Sequence, residues 1–126
     1  MFQDHPAGNI GRLQGELLRA VRLVVDTGIH TLGWTRAEAQ VYMDEATLVP
    51  GQYTREVDRY VVIPAQATAY KVGMIKILDL RQSAIGQLED QFDLIAFHNV
   101  VLGNGALPLE VLEQLVDNWI NTQLSE

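Results

Sequence analysis

The stretch IGRLQGELLRAVRLVVDTGI, residues 10–29, decides the fold class. Ile10, Leu13, Leu17, Leu18, Val21, Val24, Val25 and Ile29 fall on one side of a 3.6-residue helix, and Arg12, Glu16, Arg19, Arg22, Asp26 and the following His30 fall on the other. The apolar arc covers about half the circumference, wider than the roughly 100° stripe of an ordinary surface helix, which predicts packing against more than one neighbour.

The same periodicity continues outward. Thr35 can cap a second helix, Arg36 to about Glu45, with Glu38 at N3 and Trp34 and Ala39 at the hydrophobic-staple positions. Pro50-Gly51 breaks the pattern, and Tyr53, Val57, Tyr60 and Val61 predict a short third helix ending before Pro64. A long central helix is expected from about Ala65 to Gln87, with Ala67, Tyr70, Met74, Ile77, Leu78, Ile85 and Leu88 on one face. Asp93 can cap a fifth helix through Leu102, stopped by Gly103-Asn104-Gly105, and Pro108 opens a sixth. No segment alternates in the strand manner, and Val61-Val62-Ile63 is too short to outweigh its helical setting. The expected fold is all-α, a compact bundle of about six helices forming a single domain over residues 1–126.

Composition narrows the function. Sixteen acidic residues against nine basic ones give a formal charge of −7, which argues against nucleic acid or an anionic membrane as partner, because both need a basic face. The absence of cysteine excludes disulfides, thiolate zinc sites and cysteine nucleophiles. Met1 to Pro6 shows no basic segment followed by an apolar run, and no stretch of about 18 apolar residues occurs, so the expected location is the cytoplasm.

Two constellations could carry chemistry. Arg19, Arg22, Asp26 and His30 lie within about 80° on one helix, where Asp26 could pair with Arg22 and orient His30 as a general base in an anion-binding cleft. Spacing alone favours a solvated, salt-bridged face, because exposed pairs of this kind are common. Around Pro64, Gln66 and Tyr70 stand at i,i+4, so with Tyr60 they could direct an amide and a phenol at a polarised carbonyl; alternatively the tyrosines simply pack by their rings. His5, His30 and His98 are too far apart for a zinc motif, and no nucleophile elbow or phosphate loop is present. No metal, cofactor or catalytic residue is therefore assigned.

Three blocks together carry a resemblance. They are Arg22-Leu-Val-Val-Asp-Thr-Gly-Ile-His30 with Gly33-Trp34, Glu56-Val-Asp-Arg-Tyr60 with Pro64-Ala-Gln-Ala-Thr-Ala-Tyr70-Lys-Val-Gly73, and Phe97-His98 with Leu102-Gly-Asn-Gly105 and Leu107-Pro-Leu109. In this order they resemble the C-terminal part of a bacterial family, domain of unknown function 885. Its members are several times longer and look like zinc metallopeptidases, with a His-Glu zinc motif and a downstream Glu-Gly-Trp segment. This chain contains neither.

The resemblance implies a supporting role, in which Arg22, Asp26, His30, Tyr60, Gln66 and Tyr70 line a substrate cleft and steady an oxyanion. One departure stands out. Ala65 occupies a position where the family pattern prefers glycine, and its methyl group would crowd a close backbone approach. The expected function is a non-catalytic helical module lacking the zinc-binding half, with no enzymatic activity of its own. The alternatives are a subunit of a split peptidase needing a separate N-terminal partner half, or a stand-alone domain binding a small ligand or a protein. Apolar surface left uncovered on the first and long helices predicts a homo-oligomer, a symmetric dimer.

Overall fold

Capping chemistry sets the helix starts. In the structure, a computed structural model that describes residues 5–125, the Thr35 hydroxyl accepts from the Glu38 N–H at 3.2 Å while the Glu38 carboxylate accepts from the Thr35 N–H at 2.7 Å. The bond from the Thr35 N–H, foremost, and one that the Thr35 hydroxyl donates to the same carboxylate at 2.8 Å hold the Glu38 carboxyl below its ordinary range. The Asp93 carboxylate likewise accepts from the N–H groups of Ile95 and Ala96, at 2.6 and 3.0 Å.

Six α-helices result among the described residues: α1 (Pro6–Thr31), α2 (Arg36–Thr47), α3 (Thr54–Val62), α4 (Ala69–Leu88), α5 (Leu94–Gly103) and α6 (Leu109–Leu124). No strand occurs among the described residues, and the all-α reading holds. Residues 1–4, on which the reading of the N-terminus partly rests, lie outside the described residues.

The chain organises as two compact units, Met1–Val72 and Gly73–Glu126, with the boundary in the first turn of α4. In the first unit α1 packs against both α2 and α3. Val21 and Val25 of α1 meet Ala39, Met43, Val57, Tyr60 and Ala67 in its core. The wide arc of α1 is divided: Val21 and Val25 are buried, whereas Ile10, Leu13 and Leu17 remain exposed.

Gly28 is buried within α1, and its carbonyl accepts from the N–H groups of Leu32 at 3.2 Å and Trp34 at 2.9 Å. The Trp34 indole lies directly over it, so that a side chain at residue 28 would overlap the ring. Glycine is required here by close approach, in a helix interior where it is otherwise unfavourable.

The second unit has its own core of Leu80, Ala84, Leu88, Phe97, Leu112, Val116 and Ile120. Phe92, Phe97 and Trp119 meet there as tilted and edge-to-face rings with centroids 6.1–6.3 Å apart. Lys76 and Glu113, 2.6 Å apart, tie α4 to α6.

The long helix differs from its sequence reading. α4 begins at Ala69, four residues after the expected start, because Ala65 adopts a left-handed conformation with φ of 66° that no helix can include. Residues 64–68 form turns, closed by the Thr68 hydroxyl donating to the Ala65 carbonyl at 2.8 Å. The buried face differs in part from the expected one: Leu88 is buried as expected, but Leu80 and Ala84 are buried too and Leu78 is exposed.

Candidate functional site

The polar side of α1 does not face water along its whole length. Arg22 and Asp26 are buried, 9% and 3% exposed, because α3 and the 64–68 turn cover this part of the helix. Charged residues so placed need partners from the covering segments.

Those partners are specific. The Arg22 guanidinium lies over the Tyr70 ring at 4.7 Å and the Tyr60 ring at 5.4 Å. Its Nη2 donates to Gln66 Oε1 at 3.2 Å. Aromatic faces suit a guanidinium because its planar, delocalised charge is weakly hydrated and attracted to the ring quadrupole. Gln66 Nε2 in turn donates to the Tyr70 hydroxyl at 3.2 Å.

Asp26 supports the same turn from below. Its Oδ1 accepts from the Ala65 N–H at 3.1 Å, while Oδ2 is buried with no partner among the described residues. The bond anchors a residue whose left-handed backbone costs roughly 1–2 kcal/mol in a non-glycine residue, and it places Gln66 beside Arg22. A left-handed backbone at residue 65 is one that glycine adopts without the penalty alanine meets.

Tyr60 is buried at the back of the cluster and donates to Glu56 Oε2 at 3.2 Å. Burial, foremost, pushes its phenol far above the ordinary value, against the opposing pull of Arg22, so it stays protonated.

The residues expected from the sequence separate into two groups. Arg22, Asp26, Tyr60, Gln66 and Tyr70 are brought together. Arg19 instead donates to the Gly15 carbonyl at 2.7 Å on the exposed side of α1. His30 lies at the other end, where its Nε2 bonds the Tyr60 carbonyl at 2.9 Å. A carbonyl only accepts, so that nitrogen carries the proton. Arg22 and Asp26 form no ion pair among the described residues, and Asp26 is not the partner of His30.

Two participants escaped the sequence reading. Arg59 approaches Gln66 Oε1 at 3.5 Å and Glu56 at 3.8 Å, and the Ala65 backbone N–H holds Asp26. Glu56 and Tyr60 share a helix face at i,i+4, a signal present in the sequence, whereas the Arg59–Gln66 contact spans two elements and leaves none. Among the described residues no three His, Asp or Glu side chains converge as metal ligands would.

A family model described as bacterial protein of unknown function, DUF885, matches residues 1–116. The chain belongs to this family. The DUF885 match includes every residue of the Arg22 cluster. No curated protein matches the chain. Among solved structures, it is similar to the crystal structure of the "putative lipoprotein" from Colwellia psychrerythraea, with 50% sequence identity and a TM-score of 0.93 over 97% of this chain. The chain spans 21% of the length of that protein.

The match corrects the expected cytoplasmic location. The Colwellia protein, 50% identical over the matched region, is described as a "putative lipoprotein", which points away from the cytoplasm. The expectation failed for a physical reason: a leader and a lipid anchor are read at the start of a whole protein, whereas the residues here correspond to about a fifth of such a protein. Among the described residues no helix is long and apolar enough to cross a membrane.

Proposed function

We propose that this chain is a non-catalytic helical region of a longer DUF885 protein, resembling the C-terminal region of a zinc metallopeptidase-like protein. Its contribution is a fixed polar wall, Arg22 between Tyr60 and Tyr70, against which a substrate is held while the reacting groups come from elsewhere. The observation that carries this reading is Arg22 itself. It is a buried cation held by two rings and an amide, with no carboxylate paired to it among the described residues. Burying a charge without a counter-ion is costly, and a hydrophobic residue of similar volume would stabilise the unit better. Such a group fits a role in recognition.

The small share of the Colwellia protein that the chain covers supports its reading as a part, whose activity depends on groups outside it. By the same likeness we propose that the whole protein is lipid-anchored outside the cytoplasm.

Grafting this chain in place of the matching fifth of the Colwellia protein tests the proposal. Peptide hydrolysis by the graft is expected to fall at least about tenfold with Arg22→Met, while the chain alone hydrolyses no peptide. Chelator-sensitive hydrolysis by the chain alone, or a graft indifferent to Arg22→Met, would overturn the reading. Activity regained by mixing the chain with the remaining four-fifths as a separate polypeptide would make it a subunit of a split enzyme instead.

A further inference from the structure

We infer that Arg22 and Tyr70 form a receptor for one small carboxylate, the C-terminal carboxylate of a peptide. The proposal rests on the peptide-directed reading above only for the identity of the molecule that carries the carboxylate.

The donor inventory leads to it. Of the Arg22 nitrogens, Nη2 is bonded to Gln66, Nε is buried without a partner, and Nη1 has no partner among the described residues. The Tyr70 hydroxyl accepts from Gln66 Nε2, which leaves its own proton to donate, and Tyr70 is 44% exposed. Gln66 directs its oxygen to Arg22 and Arg59 and its nitrogen to Tyr70, so the amide orients the donors and is itself occupied. What remains unused at the mouth of the cluster is therefore N–H and O–H groups, and these need an acceptor.

The carboxylates nearby bond neither Arg22 nor Tyr70, and the one unengaged oxygen among them, Asp26 Oδ2, is buried. Asp26 accepts from the Ala65 N–H, and Glu56 is held by Tyr60 and faces Arg59. Neither supplies the acceptor that Arg22 and Tyr70 lack.

Charge and shape select the ligand. Glu56 faces Arg59, and no carboxylate is paired with Arg22 among the described residues, so the cluster offers one unpaired guanidinium, which matches the single charge of a carboxylate better than the two of a phosphate monoester. Rings lying against the guanidinium restrict approach to its edge, where Nη1 and the Tyr70 hydroxyl can each donate to one oxygen of a planar carboxylate. A chain of net charge −7 further disfavours polyanions.

The test is a nitrogen-15 NMR titration of the full chain with N-acetyl-Ala-Ala and with its C-terminal amide. The acid is expected to shift the Arg22 Nε–H and Gln66 side-chain amide signals saturably, and the amide to bind at least about tenfold more weakly. Arg22→Met should abolish the shifts, and Tyr70→Phe, a change at a half-exposed ring, should weaken binding about threefold. Inorganic phosphate should bind more weakly than the acid.

Equal binding of acid and amide, tighter binding of phosphate, or binding unchanged in Tyr70→Phe and Arg22→Lys would overturn the proposal. Those two milder variants decide the matter if Arg22→Met does not fold. Because the readout is binding by the chain alone, carboxylate binding beside an inactive graft would overturn only the proposed function. An active, Arg22-dependent graft without carboxylate binding would overturn only this inference.

Discussion

The two units solve the same packing problem with different materials. In Gly73–Glu126 the buried residues among those described are all apolar, from Leu80 and Ala84 of α4 to Phe97, Leu112, Val116 and Ile120. In Met1–Val72 the core of Val21, Val25, Met43 and Val57 adjoins a buried arginine, a buried aspartate, a buried tyrosine and a left-handed alanine. The second unit buries no charged residue among those described, and its ion pair between Lys76 and Glu113 lies nearer the surface. The polar groups of the first hold the 64–68 turn against α1, and Arg22 among them is the group on which the proposed function rests.

The comparison breaks or sharpens under substitution. The largest loss is expected in the apolar unit, where Phe97→Ala should cost about 3–5 kcal/mol through the cavity it leaves, measured by denaturant unfolding. Asp26→Ala should cost about 2–3 kcal/mol, since it strands the Ala65 N–H and removes a charge-assisted bond. Amide exchange should quicken around residues 60–70 and remain unchanged at Phe97; uniform acceleration would mean that the units do not unfold separately.

Gly28→Ala should cost about 1–3 kcal/mol by overpacking, with a changed Trp34 fluorescence spectrum as its signature. Ala65→Gly should act in the opposite direction, stabilising by about 1 kcal/mol because glycine adopts the left-handed conformation without penalty. A destabilised Ala65→Gly would show that the methyl group packs usefully in the turn. The weakest effect expected is self-association: expressed alone, the chain should pair through the exposed α1 stripe Ile10, Leu13 and Leu17. Light scattering at micromolar concentration should give a dimer mass that Leu13→Asp returns to monomer.

Much of the first unit was legible residue by residue. Gln66 and Tyr70 were expected to meet as neighbours on one helix; they do meet, but Gln66 reaches Tyr70 from a turn that precedes α4. The i,i+4 spacing gave a correct contact through an incorrect conformation, because a left-handed residue preserves proximity while ending the helix. For Arg22 and Asp26 the spacing favoured a solvated face, whereas both are buried, since a helical wheel specifies direction without specifying what covers it. His30 and Arg19 lie on the same stripe yet bond elsewhere, beyond the reach of the 64–68 turn.

By itself the sequence determined what depends on near neighbours: the helical class, the Thr35 and Asp93 caps, the breaks at Pro64 and Gly103, and the family blocks. These follow from periodicity and from hydrogen bonds closed within a few residues. Tertiary structure alone decided which half of the α1 arc is buried, why residue 28 must be glycine, and that a turn 39 residues away holds Asp26. Burial and close approach are properties of two segments at once, and no local pattern in either segment records the other.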